Sequence, residues 1–153
     1  MTITRTIDRP DTAHPSRPSR SRSPYGVFGA LIGLAALAVL LQGLWAGIFL
    51  EHDGKRDAAS SWIEVHARGG EIALVLAALA TAWAFWKLRE RRDLWLGGLA
   101  LVVALFLESY IGGLIRDQGQ DTLTAVHVPL GMLVMGLAVW LPVRARAGRR
   151  SMA

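Results

Sequence analysis

VFGALIGLAALAVLLQGLWAGIFL, residues 27–50, runs 24 residues without one charged side chain. About 20 apolar residues are enough for a helix to cross a bilayer. Apolar residues occupy every side of this segment rather than one stripe, as in a helix surrounded by lipid and by other helices. The segment is too long for a signal-peptide core and ends in no small-residue cleavage site, so it is expected to be retained. Three stretches of the same kind follow at residues 62–86, 94–115 and 122–143. The expected fold is all-α: an integral membrane four-helix bundle over residues 25–146.

The composition agrees. Apolar residues make up 52% of the 153-residue chain and charged residues 19%, with mean hydropathy +0.34. An ordinary soluble domain is less apolar than this. Without cysteine the chain has no disulfide, thiolate zinc site, iron–sulfur cluster, thiol nucleophile or covalent haem attachment. Residues 1–24 are rich in Ser, Arg and Pro and read as a disordered basic cytoplasmic tail, with a second basic tail at 147–153.

Charge position sets the expected topology. Arg5, Arg9, Arg17, Arg20 and Arg22 precede the first stretch; Lys87, Arg89, Arg91 and Arg92 separate the second from the third; Arg144, Arg146, Arg149 and Arg150 follow the fourth. Only Lys55, Arg56, Arg68 and Arg116 fall on the other side. By the positive-inside rule both termini and the middle loop are expected to be cytoplasmic, and the expected location is the plasma membrane. The net charge of +5 is then a topology signal with some contact to anionic lipid. No basic face with interleaved aromatics exists, so nucleic acid is not an expected partner. Trp62 suits the outer interface, and Trp83, Trp86, Trp95 and Trp140 the inner one.

The chain also repeats itself. LQGLWAGIF (41–49) resembles LESYIGGLI (107–115), matching Gln42 with Glu108 and Gly47 with Gly113. VHARGGEIALVLA (65–77) resembles VHVPLGMLVMGLA (126–138), matching His66 with His127 and Gly70 with Gly131. Two parallel copies of a transmembrane helical hairpin would give this pattern.

His66 and His127 are the only histidines inside the expected helices. They lie at one depth near the outer ends, at equivalent repeat positions. A pseudo-two-fold axis can aim both imidazoles at one central object, as in bis-histidine haem ligation. Each is followed four residues later by glycine on the same helix face, leaving room for a flat ligand. Pro129 withholds an N–H from the turn holding His127. The competing readings are a structural interhelical hydrogen bond and another metal, for which further nitrogen or sulfur ligands are lacking.

The other polar groups also lie in the outer half. Gln42 and Glu108 read as partners that orient the histidines or as plain interhelical hydrogen bonds. Glu71 is expected to point away from His66 and reach a neighbouring helix. Arg68 and Arg116 suit haem propionates or lipid headgroups equally. Glu51, His52, Asp53, Asp57 and Glu64 belong in or beside the outer loop, His14 has no role in the tail, and Met132 and Met135 read as packing residues.

The segments LQGLWAGIF, EVHARGG, LESYIGGLIRDQG and VHVPLG resemble the haem A synthase family over about residues 41–138. The resemblance implies one four-helix half of that family, carrying one haem b per chain with His66 and His127 as axial ligands to iron. The cofactor contacts expected from the spacing and charge above are Gly70, Gly131, Arg68, Arg116, Gln42 and Glu108; the resemblance implies an oxidoreductase setting, with a redox partner in the membrane and a second copy of the chain (a homodimer) as candidate partners. Many members carry an acidic residue three before the first histidine; here Ile63 stands there and Glu64 follows, the one candidate for a catalytic carboxylate. The family's outer-loop cysteine pair is absent. The alternatives are a small proton-coupled transporter using Glu71 or Glu108 and a non-enzymatic accessory subunit of a membrane complex.

Overall fold

The computed structural model describes residues 23–51 and 56–150. The expected tail over 1–22 with His14, the loop residues His52 and Asp53, and residues 151–153 lie outside the described residues. Four α-helices follow in order: α1 Pro24–Leu50, α2 Arg56–Lys87, α3 Arg92–Gln118 and α4 Thr124–Arg150, with a 3-10 turn at Asp121–Leu123 before α4. The described residues contain no strand. All four helices are long and apolar enough to cross a membrane.

Each helix outruns its apolar stretch. α2 starts at Arg56 rather than 62, and α4 continues to Arg150 rather than stopping at 143. Hydropathy marks where apolar residues end, whereas the hydrogen-bond ladder continues until something interrupts it. For α3 the interruption is Gly119 at φ 66°, whose N–H donates to Leu114 O in a left-handed cap. Pro129 and Pro142 both lie inside α4.

α1 packs against α2 and α4, and α3 packs against the same two helices. The pairs α1/α3 and α2/α4 are therefore diagonal. One period organises the interior. Phe28, Ile32, Ala35 and Val39 on α1 are buried at spacings of four, three and four residues. The same spacing recurs in Ala73, Ala77, Ala80 and Ala84 on α2, in Leu94, Gly98, Leu101 and Leu105 on α3, and in Val134, Ala138, Leu141 and Ala145 on α4. This is the seam of a left-handed bundle at shallow crossing angles. Because neighbours run antiparallel, the seam stacks in layers: Phe28, Ala84, Leu94 and Ala145 at the end holding the chain's basic loops, and Val39, Ala73, Leu105 and Val134 three layers further on. Large side chains on one helix sit over alanine or glycine on the next, so backbones approach closely. A Cβ on Gly98 would stand 2.5 Å from Thr81 Oγ1, and one on Gly97 would stand 2.7 Å from the Trp140 ring.

Polar clamps tie down the end formed by Pro24, Lys87, Arg92 and the last turns of α4. Arg91 donates to both carboxylate oxygens of Asp93 at 2.9 Å, Arg144 Nε donates to Asp93 at 2.9 Å, and Arg91 Nη2 also reaches Arg144 O at 3.3 Å. The Asp93 carboxylate holds the Arg91 guanidinium still further above its ordinary value. Trp83 Nε1 donates to Pro24 O at 3.0 Å, joining α2 to the start of α1. At the opposite end Trp45 and Trp62 stack with centroids 5.7 Å apart. Trp62 and Trp83 are 21 residues apart on α2, about 32 Å along a helix, which matches a hydrocarbon thickness of about 30 Å.

Candidate functional site

Two more turns of the seam carry it into the other half of the bundle. On α1 it continues to Gln42 and Ala46, on α2 to Gly70 and His66, on α3 to Glu108 and Gly112, and on α4 to Gly131 and His127. The spacing of four and three residues is unbroken. Gln42, Gly70, Glu108 and Gly131 form one layer; Ala46, His66, Gly112 and His127 form the next. All sixteen positions of the inner layers are buried, yet all eight of these outer positions are only partly buried.

His66 and His127 stand on the diagonal helices α2 and α4 and face each other across the axis. Their ring centroids are 6.4 Å apart with planes at 63°. The small residues Ala46 and Gly112 occupy the other diagonal. A Cβ on Gly112 would stand 3.4 Å from His127 Cε1, so the α3 backbone lies against that ring.

Both imidazoles are anchored through Nδ1. His66 Nδ1–H donates to Gln42 O at 3.2 Å. A carbonyl only accepts, so the proton is on Nδ1 and the lone pair of the neutral ring is on Nε2. His127 Nδ1 meets the Glu108 carboxylate, with both contacting atoms buried. The Glu108 and His127 side chains are 12% and 24% exposed. Holding one ring nitrogen on a backbone carbonyl or carboxylate fixes tautomer and ring orientation for a ligand at the other nitrogen.

The other expected site residues separate into two sets. Gln42 and Glu108 belong with the histidines. The glycines do as well, but they make room for something else. A Cβ on Gly131 would stand 2.9 Å from Glu108 Oε1, and one on Gly69 would collide with Gln42 Nε2. Gly70 faces Gln42 Oε1 and Ser109 Oγ, each 3.9 Å from its Cβ position. The expected slot for a flat ligand beside each histidine is taken by the polar side chain of the adjacent helix, since Gln42 and Glu108 share the glycine layer.

The charged residues lie outside the seam. Arg68 Nε donates to Glu64 Oε1 at 2.8 Å and Nη1 to Glu71 Oε2 at 3.0 Å, with Arg68, Glu64 and Glu71 67%, 52% and 59% exposed. Glu71 thus pairs along its own helix, correcting the expected contact with a neighbouring one; three residues is one turn, within easy reach of arginine. Arg116 pairs with Asp117 at 2.7 Å and approaches Glu64 Oε2 at 3.6 Å, linking α3 to α2. Met135 packs against the core, whereas Met132 is exposed and does not.

The sequence reading missed Gly112 and Ala46. Counting back from His127 and His66 by repeat position does not find them; only extending the seam of α1 and α3 does. Among the described residues no group of three or more His, Asp or Glu side chains could hold a metal ion by itself. Two anchored imidazoles suit a metal whose remaining positions are filled by its own macrocycle. An Nε2–metal bond of about 2 Å puts each centroid about 3 Å from the metal, so two such rings stand close to the 6.4 Å observed. In donor type and separation the two imidazoles suit such a metal, while Gln42 and Glu108 occupy the glycine layer beside them.

Comparison of the chain with protein-family models, curated proteins and solved structures gave no match.

Proposed function

We propose that this chain is an integral membrane protein of two repeated helical hairpins, with both termini cytoplasmic, that holds one haem b between His66 and His127 near the extracytoplasmic face. The observation carrying the reading is the histidine pair: two imidazoles across one axis, 6.4 Å apart, each held at Nδ1. The repeat reading gains support from the seam. Its six positions on α1 and α3 are all 66 residues apart, and its six positions on α2 and α4 are all 61 apart. The outward-facing apolar residues, such as Leu37, Leu40, Val75 and Phe106, support insertion in lipid.

Haem ligated by two histidines exchanges single electrons and offers no open position to oxygen. Gln42 O and Glu108 orient the two rings. The four apolar layers beneath exclude water from the cytoplasmic side. Electron transfer is favoured over modification of haem, because Glu64 pairs with Arg68 and Arg116 off the seam. A proton-coupled transport reading has less to rest on: Glu71 is paired with Arg68, and Glu108 meets His127. The test is the absorption spectrum of the full chain purified in detergent after haem supplementation. Low-spin bands are expected, and a colourless protein overturns the reading.

A further inference from the structure

A cavity of about 110 Å³ opens between α1 and α4 at the end of the basic loops. It is lined by Tyr25, Gly26 and Gly29 on α1 and by Pro142, Ala145 and Arg146 on α4. Its depth is marked by Trp83, whose Nε1 donates to Pro24 O, one residue before Tyr25. An indole so placed marks the boundary between hydrocarbon and headgroups.

The other hairpin pair shows what the chain puts in this place when it fills it. With the seam offsets of 66 and 61 residues, Gly29 corresponds to Trp95 and Arg146 to Phe85. Trp95 and Phe85 meet edge to face, their centroids 5.6 Å apart. Between α1 and α4 a glycine replaces the indole and an arginine replaces the phenyl ring. A Cβ on Gly26, Gly29 or Gly33 would meet nothing within 4 Å. Gly33 is one turn beyond Gly29 on the same face, so open space continues from the cavity toward the middle of the bundle. On α4, Val139 is exposed one turn before Pro142. Charge decides the kind of occupant. Six basic residues at this end, Lys87, Arg89, Arg91, Arg92, Arg144 and Arg146, face only Glu90 and Asp93 among the described residues. Asp93 already holds Arg91 and Arg144, and among the described residues Arg146 meets no carboxylate. Arg91 adds a second cation, 5.9 Å from the centroid of the Tyr25 ring.

We propose that this cavity is a site for an anionic phospholipid. Arg146 holds the phosphate beside Tyr25, and an acyl chain runs over Gly29 and Gly33. Arginine matches phosphate oxygens with paired N–H groups, and basic pockets between spanning helices on the cytoplasmic side suit such headgroups. A soluble phosphate would use the cavity and leave the open glycine face bare. The site rests on the proposed membrane insertion and not on haem, since it lies at the opposite end from the histidines.

The test is native mass spectrometry of the full chain released from detergent, after equilibration with phosphatidylglycerol or with phosphatidylcholine of the same acyl chains. One phosphatidylglycerol per chain is expected to be retained, about tenfold more strongly than phosphatidylcholine. Arg146→Gln should weaken that retention about tenfold. Arg89→Gln removes the same charge at the same end but outside the cavity, and should leave retention unchanged. Gly29→Trp places the indole of the Trp95 position in the cavity and should remove the bound lipid; circular dichroism checks that each variant keeps its helices. Equal losses in Arg146→Gln and Arg89→Gln overturn the proposal, because the attraction would then be diffuse. Unaltered retention in Gly29→Trp overturns it too. So does full displacement of the lipid by millimolar inorganic phosphate, which would make the cavity a site for a soluble anion. A chain that stays in solution without detergent overturns membrane insertion and this proposal together.

Discussion

The two halves of this bundle follow one seam and are built differently. In the half beside the basic loops, sixteen seam positions carry Ala, Gly, Val, Ile, Leu or Phe, and every one is buried. In the other half, eight positions at the same spacing carry Gln, Glu, two His, Ala and three Gly, and none is fully buried. Direction toward the axis is therefore not what distinguishes them. In the first half large side chains fit over small ones across each layer. In the second, small residues admit the polar side chains of neighbouring helices, and every position keeps some exposure. An apolar, fully buried half gives the two anchored imidazoles of the other half a rigid base.

The strongest way to break this comparison is at the histidines. His66→Ala or His127→Ala should abolish the low-spin haem spectrum, leaving high-spin iron or no haem, while Glu71→Gln leaves it intact. An unchanged spectrum in either alanine variant removes the outer layers from the site. Next comes the carboxylate behind His127. Glu108→Leu removes the group that orients the ring and should lower haem affinity about 10–100-fold by titration.

The tight half is probed by overpacking. Gly98→Val puts a side chain where Thr81 Oγ1 already stands 2.5 Å from the Cβ position, so a loss of about 1–3 kcal/mol is expected in detergent unfolding. The smallest effect sharpens the contrast within one helix. Gly131→Ala must displace Glu108 Oε1, 2.9 Å away, whereas Gly136→Ala meets nothing within 4 Å. The first should shift the haem bands and cost about 1 kcal/mol. The second should be neutral or slightly stabilising, as alanine is the better helix former.

Four helices, their order and the candidate histidines were legible in the sequence because each depends on local content: runs of apolar residues, two histidines inside them, and basic residues between. Helix ends were less so. Arg56–Ser61 and the turn beyond Val143 extend the helices with residues that hydropathy cannot distinguish from loop. Glu71 was misplaced because its partner, Arg68, is equally available along its own helix.

What the sequence by itself determined is the set of elements, with His66 and His127 as the two histidines inside them. What only the tertiary structure decided is which side of each helix faces inward. In a chain where apolar residues occupy every side, Leu37 and Val39 look alike, yet Leu37 is half exposed and Val39 buried. The seam emerges only when small residues on one helix meet large ones on the next. The same holds for the glycines: beside a histidine in the sequence they suggest space for a ligand, but the neighbouring helix fills that space with Gln42 and Glu108. Periodicity fixes what is near along one helix, and packing between helices fixes what is near across it.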